Sequence, residues 1–306
     1  MSVSRVAAID CGTNSIRLLV ADLDREAATA TDLVRRMEIV RLGHGVDRTG
    51  RLDERALERT FAACEDYAQV IAECGAERLR FVATSATRDA DNADLFAAGV
   101  RERLGVVPDV VSGAEEAALS FAGATRDLPG VDQPLLVVDI GGGSTELILG
   151  RDGAAETEQS LDIGSVRMTE RHLHSDPPTP EEIAACVADV DAVLDGATVD
   201  LTDARTVVGV AGTLTTAAAH VLGLDRYDSA RIHHARLAVS DVLSSCAAIV
   251  AASHAERRSW PFMHPGRADV IGGGALIVAC LLRRAATDTL VISEHDILDG
   301  VAWSLV

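Results

Sequence analysis

Two segments of the chain, 6–20 and 135–149, follow one pattern at a constant offset of 129 residues. In each, an apolar run ends at an aspartate, a turn of glycine and hydroxyl residues follows, and a second apolar run begins. Asp10 falls on Asp139, and both segments contain the motif Asp-x-Gly-x-x-Ser. The pattern predicts a β-hairpin in each segment. A chance likeness of two apolar hairpins is the alternative, but the shared register favours a chain built from two similar halves.

The rest of the chain alternates between helical and strand patterns. In the first half we predict helices over 53–74, 92–104 and 112–125 and strands over 79–84 and 106–111. In the second half we predict helices over 166–173, 180–194, 213–222, 239–252 and 267–284, a strand over 290–293 and a closing helix from 297. Such alternation is typical of α/β layer structures.

The length of 306 residues suits two domains, since one domain usually takes about 150. The loop 127–130 contains Pro-Gly and precedes the second hairpin, so we expect domains over 1–126 and 127–306.

The basic residues exclude several kinds of catalytic and binding site. All 28 are arginine, and 47 acidic residues bring the net charge to −19. Without lysine there is no Walker-type phosphate loop, no Schiff base and no kinase-type lysine. The acidic balance also argues against binding nucleic acid or an anionic membrane, because both require a basic face. A polyanionic ligand must therefore be met locally by arginine or by backbone amides.

Cysteine usage and hydropathy indicate the compartment. The six cysteines stand singly, without a CxxC pair, so we interpret them as reduced, mostly buried thiols of a cytoplasmic protein. The N-terminus has no basic region before an apolar run, and the apolar run over 271–282 is shorter than the ~18 residues that a membrane helix needs. No export or membrane-spanning segment is expected.

Both hairpin turns are suited to phosphate. A glycine-rich turn lets backbone N–H groups approach an anion without Cβ interference. In the second turn, Asp139 and Glu146 lie on either side of the glycines. A carboxylate next to bound phosphate is tolerated when a divalent cation lies between them, so the motif predicts Mg²⁺ or Mn²⁺. The same argument applies more weakly to Asp10, and a hairpin that merely needs glycine is the alternative for both turns.

Three further motifs carry polar groups at the ends of strands or helices. Gly212 and Thr213 lie where a strand leads into a helix, an arrangement that suits an anion but is also an ordinary helix start. Glu115 and Glu116 lie in the first turn of the helix that Ser112 caps, where acids often only complement the helix dipole. Arg88 follows a strand and has the planar fork that suits phosphate. The turns do not spell G-x-G-x-x-G, and no G-x-S-x-G elbow is present.

The histidines do not form HExxH, and we interpret each of them as an ordinary surface or core residue. The residues so interpreted are His172, His174, His233, His234, His264 and His295.

In this order, the motifs resemble those of the exopolyphosphatase and guanosine pentaphosphate phosphatase (Ppx/GppA) family, within the actin, sugar-kinase and heat-shock ATPase superfamily. The likeness extends over seven segments: 10–17, 84–90, 112–117, 139–146, 162–167, 212–213 and 293–300. The stretch 164–178 is similar to that of the short actinobacterial-type members. The resemblance implies an α/β fold of two duplicated actin-like domains, with an active-site cleft between them, and a homodimer. It also makes the final helix, about 297–306, a candidate to complete the first domain, and it implies no additional C-terminal helical domain.

The resemblance also implies metal-dependent release of terminal orthophosphate from inorganic polyphosphate. It places the catalytic base at Glu115 or Glu116, with Glu116 favoured, a phosphate-clamping arginine at Arg88, and cation ligands at Asp10, Asp139 and Glu146. The phosphate-binding positions that it implies are Cys11, Gly12, Thr13, Asn14, Ser15, Gly141, Gly142, Gly143, Ser144, Thr145, Gly212 and Thr213.

The net charge of −19 predicts a preference for short polyphosphate chains, because long polyanions are repelled. Local positive charge is expected from arginines, with Arg48, Arg51, Arg88, Arg167, Arg171 and Arg267 as candidates. Three alternatives stand beside the exopolyphosphatase hypothesis. They are a pppGpp 5′-phosphatase on the same scaffold, a non-catalytic nucleotide-sensing relative, and a sugar kinase, which the absence of a sugar-binding motif disfavours.

Overall fold

The structure is a computed structural model that describes residues 3–306. The chain forms two compact units. Unit 1 contains the residues up to Gly123 together with Ile297–Val306, and unit 2 contains Ala124–Asp296. Each unit is a mixed β-sheet with helices packed against it.

Unit 1 has a five-stranded sheet in the order β3-β2-β1-β4-β5. The strands are β1 (Val3–Cys11), β2 (Ser15–Asp24), β3 (Thr29–Ile39), β4 (Arg78–Ala83) and β5 (Asp109–Val110). The first three are antiparallel, and β4 and β5 continue parallel to β1. The helices are α1 (Val46–Thr49), α2 (Glu54–Cys74), α3 (Ser85–Arg88), α4 (Ala93–Leu104), α5 (Gly113–Thr125), which runs across the division into unit 2, and α13 (Ile297–Trp303).

Unit 2 has a six-stranded sheet in the order β10-β11-β9-β6-β7-β8. The strands are β6 (Leu135–Ile140), β7 (Thr145–Arg151), β8 (Ala154–Leu161), β9 (Thr206–Val210), β10 (Arg236–Ala238) and β11 (Thr289–Ile292). The helices are α6 (Ser165–His172), α7 (Pro180–Asp195), α8 (Ala211–Val221), α9 (Ser229–Ile232), α10 (Val239–Ala251), α11 (His254–Ser259) and α12 (Ile271–Arg284).

The repeat predicted from the sequence is present in both sheets. Strand β1 pairs with β2 antiparallel and with β4 parallel, and β6 pairs with β7 and β9 in the same way. The two turns close alike, since Gly12 N–H donates to the Ser15 carbonyl at 2.9 Å and Gly141 N–H to the Ser144 carbonyl at 3.0 Å. Both hairpins are confirmed.

The unbroken apolar runs in the sequence form strands at the centre of each sheet. All six residues of β6 are buried, because helices cover both faces of the sheet and leave no polar face. Unit 1 has one apolar cluster on each face of its sheet, and one large cluster fills unit 2. Five of the six cysteines lie buried as free thiols, which confirms that they are mostly buried. Within residues 3–306, no helix combines the length and apolarity needed to cross a bilayer.

Side-chain caps mark the starts of several helices. The Asp53 side chain accepts from Arg55 N–H and Ala56 N–H at the start of α2. Helix α7 begins with a capping box between Thr179 and Glu182.

Two predicted elements differ from the structure, and one strand was missed. The strand predicted over 106–111 is reduced to β5, because only two residues pair with β4. The helix predicted over 267–284 begins at Ile271, since the preceding residues form a turn in which Val270 N–H donates to the Arg267 carbonyl. Strand β3 was not predicted, because it is an edge strand whose residues are mostly exposed and give no apolar alternation.

Candidate active site

The first loop, residues 11–15, joins β1 to β2 in unit 1 and is held by backbone hydrogen bonds. The Thr13 carbonyl accepts from Gly43 N–H at 2.8 Å, and the Asn14 carbonyl accepts from Arg41 N–H at 2.9 Å. The Thr13 hydroxyl lies 2.9 Å from that of Ser85 at the start of α3. Cys11 is fully buried, and burial raises the pKa of its thiol, so its side chain does not reach the loop surface.

Asp10 already has a positive partner. It lies opposite Arg17 across the hairpin, and its Oδ2 accepts from Arg17 Nη2 at 2.6 Å and from Nε at 2.9 Å. Of these two side chains the carboxylate is the more deeply buried. The position equivalent to Arg17 in the second hairpin is Glu146, so the two hairpins differ in charge at this point.

The second loop, residues 141–144, turns its carbonyls toward the start of α6. The Gly141 and Gly142 carbonyls accept from Ser165 N–H and Val166 N–H at 2.9 and 2.8 Å. The Gly143 carbonyl accepts from Arg167 Nε at 2.7 Å. Within residues 3–306, the N–H groups of Gly142 and Gly143 make no hydrogen bond to the chain. The loop therefore presents donors in a concave turn, which is how a backbone nest binds an anion.

Asp139 and Glu146 lie directly opposite one another across the second hairpin. Both are buried, with exposed fractions of 6% and 1%. Glu146 Oε1 accepts from the Ser160 hydroxyl at 2.7 Å. Directly opposed side chains share one face of a sheet and repel when both are anionic. Carboxylate oxygens are the ligands that Mg²⁺ and Mn²⁺ prefer, so this pair fits a hard divalent cation.

Glu115 and Glu116 are adjacent in the first turn of α5 but have different surroundings. Glu116 is 7% exposed, and its Oε2 accepts from Arg88 Nη1 at 3.0 Å. The side chain of Glu115 is 48% exposed and pairs with Arg80 at 2.7 Å. Arg88 Nη1 also donates to the Val111 carbonyl at 3.0 Å, just before α5. The structure thus separates a buried, arginine-bound carboxylate from a surface ion pair.

Several predicted residues of unit 1 come together. Helix α3 begins at Ser85, which contacts the Thr13 hydroxyl, and ends at Arg88, which contacts Glu116. One turn of helix therefore connects the first loop with the Glu116 carboxylate. The sequence predicted Thr13, Arg88 and Glu116 separately but gave no distance between them, and it did not predict Ser85 as a site residue.

The third loop leads from β9 into α8 in unit 2. Ala211 adopts a left-handed backbone with φ 64°, which turns the chain directly from strand into helix. The Arg267 guanidinium lies over Gly212, where an added Cβ would come within 2.3 Å of its central carbon. Thr213 is nearly buried. A helix N-terminus with an arginine above it can bind an anion.

A cluster of imidazoles in unit 2 was missed by the sequence analysis. His233, His234 and His295 surround Asp127, although Asp127, the His233-His234 pair and His295 are far apart in the chain and match no ligand-spacing motif. Only the adjacent pair His233-His234 gave a signal, and a histidine pair alone is a weak one.

The comparisons with known proteins are consistent over the whole chain. The family described as "Ppx/GppA phosphatase family" matches residues 19–306. Exopolyphosphatase 2 of Mycobacterium tuberculosis is 49% identical, covering 100% of this chain and 99% of that protein. A crystal structure of an exopolyphosphatase-like protein has a TM-score of 0.96 at 45% identity, covering 100% of this chain and 98% of that one. The Aquifex aeolicus Ppx/GppA family member has a TM-score of 0.84 at 31% identity, covering 99% and 98%. These findings confirm the expected family and its α/β fold.

Proposed function

The chain belongs to the Ppx/GppA phosphatase family, and from this premise we propose that it is an exopolyphosphatase. Its reaction is hydrolysis of a phosphoanhydride bond, with release of orthophosphate from the end of a polyphosphate chain. The observation that carries the proposal is the buried Glu116 carboxylate bound by Arg88. A buried carboxylate beside a cation and a phosphate loop can accept a proton from an attacking water.

We assign the following roles to residues of unit 1. Glu116 orients the water and takes its proton as the water oxygen attacks the terminal phosphorus. Arg88 stabilises the negative charge that develops on the equatorial oxygens. The first loop contributes backbone N–H groups and the hydroxyls of Thr13 and Ser15 to phosphate binding. Glu115 is given no role, because Arg80 engages it at the surface.

In unit 2, the free N–H groups of Gly142 and Gly143 support phosphate binding by the second loop. Gly212 and Thr213 are assigned to the same task at the N-terminus of α8. Asp139 and Glu146 would hold Mg²⁺ or Mn²⁺, which when bound neutralises phosphate charge. Asp10 is part of the expected cation site, but its pairing with Arg17 makes it the weaker ligand of the three.

The test compares two neighbouring glutamates. Glu116→Gln and Glu115→Gln are assayed for orthophosphate release from polyphosphate, pppGpp and ATP, with and without Mg²⁺. We expect Glu116→Gln to lose about 10²-fold or more in kcat, the usual effect of removing a general base, and Glu115→Gln to keep activity. Full activity in both variants would show that the base is elsewhere. Faster turnover of pppGpp than of polyphosphate by the unmodified protein would favour the alternative function.

The proposal extends to chain length, assembly and location. The net charge of −19 supports faster turnover of tripolyphosphate than of long polymer, and the reverse order would contradict this part. A homodimer and a cytoplasmic location rest on the family resemblance and on cysteine usage. Sedimentation of the purified protein and fractionation of cells test these two points.

A further inference from the structure

The Asp127 carboxylate of unit 2 lies among three imidazoles. Asp127 Oδ2 is 3.2 Å from His233 Nε2 and 3.1 Å from His295 Nδ1, and Oδ1 is 3.7 Å from His234 Nε2. The rings of His233 and His234 stack with centroids 3.7 Å apart. None of these residues has a role in the proposed hydrolysis, so the cluster requires its own explanation.

The ring nitrogen His234 Nε2 lacks a hydrogen-bond partner among the described residues. It is buried and makes no hydrogen bond within residues 3–306, and its distance to Asp127 exceeds that of a hydrogen bond. His234 also has φ 61°, a left-handed conformation that few non-glycine residues adopt, although histidine does so more often than most. The backbone holds it there, since His234 N–H donates to the Ile292 carbonyl at 2.7 Å. A fixed, buried ring nitrogen without a partner is the arrangement expected of a ligand atom.

We propose that Asp127, His233 and His234 form a binding site for a divalent transition-metal ion, with Zn²⁺ as the best fit. One ligand atom from each residue can be chosen so that all three lie within 4.8 Å of one another. A tetrahedral Zn²⁺ with ligands about 2.0–2.1 Å away would hold them about 3.3 Å apart, so binding brings the ligand atoms closer together by up to about 1.5 Å. Two imidazoles and one carboxylate select zinc over Mg²⁺, which prefers oxygen.

Glu294 and His295 lie next to the proposed ligands. Glu294 affects the free energy of metal binding, and His295 is a hydrogen-bond partner of one ligand. Glu294 N–H donates to His233 Nδ1 at 3.1 Å, so His233 carries its ring proton on Nε2. When a metal occupies Nε2, that proton moves to Nδ1 and the Glu294 bond is lost. We therefore expect moderate affinity, because metal binding costs one hydrogen bond of the protein. His295 remains bonded to the Asp127 carboxylate and orients it as an outer partner.

The experiment uses the full chain without an affinity tag, stripped with EDTA and exchanged into metal-free buffer. Titration with ZnCl₂ by calorimetry and with CoCl₂ by visible absorption measures binding independently of hydrolysis. We expect one saturable equivalent, a d–d absorption band in the Co²⁺ form, and a rise of several degrees in the Tm of the Zn²⁺ form.

Matched variants locate the ion. His234→Asn and Asp127→Asn should each abolish the band, and His295→Gln should weaken binding about 10- to 100-fold. His172→Asn is the control, because His172 pairs with Asp189 at 2.8 Å in the same unit but has one imidazole only. Asp139→Asn should keep the band, which separates this site from the proposed catalytic cation. Circular dichroism checks that each variant is folded.

Absence of saturable binding in the unmodified protein would overturn the proposal. So would a folded His234→Asn or Asp127→Asn variant that binds Zn²⁺ like the unmodified protein. If one of these two variants does not fold, the other decides. Loss of the band in Asp139→Asn would move the ion to the catalytic carboxylates and would also refute the site.

Discussion

Arg88 uses one nitrogen for two protein acceptors. Its Nη1 donates to Glu116 and to the Val111 carbonyl, and within the described residues its Nε and Nη2 donate to no protein acceptor. The side chain is 26% exposed, so these N–H groups can reach a ligand. An arginine held in this way presents a fixed fork to phosphate oxygens.

Arg88→Lys therefore should lower kcat for orthophosphate release by about 10²- to 10³-fold, the cost of losing a transition-state donor. The charge remains, but the planar fork does not. Arg80→Lys is the matched control, because Arg80 pairs with Glu115 and Asp109 at the surface of the same unit. An equal loss in both variants would mean that arginine at position 88 has only a structural role.

His220 provides a test of pH dependence. It lies at the end of α8, with its ring centroid 4.9 Å from that of Trp260, and burial lowers its pKa below the ordinary 6.5. The unfolded chain therefore binds a proton here at a higher pH than the native state does. The free energy of unfolding should fall as the pH drops below about 6.5, and His220→Gln should reduce this slope. Urea unfolding at pH 8 and pH 5.5 measures it, and an unchanged slope in the variant would contradict the assignment.

The sequence alone does not show which of the two adjacent glutamates, Glu115 or Glu116, faces the site. Neighbouring helical residues point about 100° apart, so one of them had to face away from the site. Which glutamate faces the site depends on the positions of Arg80 on strand β4 and Arg88 on helix α3. Long-range packing sets these positions. The sequence therefore predicted the pair, and the fold distinguishes its members.

Gly164 controls the contact between the second loop and α6. A Cβ at this position would come within 2.4 Å of the Gly142 carbonyl oxygen. We expect Gly164→Ala to destabilise the fold by about 1–3 kcal/mol, the usual cost of overpacking, and to lower activity by shifting the loop. Gly196→Ala is the control, because the nearest atom to an added Cβ there is 3.5 Å away. Thermal unfolding and kcat are measured together, and an unaltered Gly164→Ala protein would show that the loop tolerates displacement.

The elements predicted best are those with strong local signals. Both hairpins were predicted because their apolar runs and glycine turns repeat, and the helix over 53–74 because Asp53 caps an amphipathic pattern. Strand β3 gave no such signal, since its order comes from pairing with β2 along ten registered residue pairs. The His233-Asp127 contact joins residues 106 positions apart and is equally invisible to local patterns.

At the scale of the whole chain, its last residues belong to the first unit. Helix α13 contributes Ile297, Leu298 and Val301 to an apolar cluster with Val6 and Val82 of the unit 1 sheet. It is also bound by an ion pair between Arg35 and Asp299 at 2.5 Å. Gly300 allows close approach, because an added Cβ would lie 2.0 Å from the Leu119 carbonyl oxygen on α5. Unit 1 is therefore assembled from both ends of the sequence.

The packing of α13 against the unit 1 sheet predicts that unit 1 is sensitive to single changes near the C-terminus. Leu298 is 1% exposed, and Leu298→Ala removes a buried side chain and leaves a cavity, at a cost of about 2–5 kcal/mol. Leu95→Ala is the control within the same unit, because Leu95 is 54% exposed and its truncation removes little packing. Urea unfolding with amide hydrogen exchange should show that Leu298→Ala lowers protection in β1 and β4, whereas β6 and β9 are less affected. Equal stability of the two variants would mean that α13 adds little to the core of unit 1.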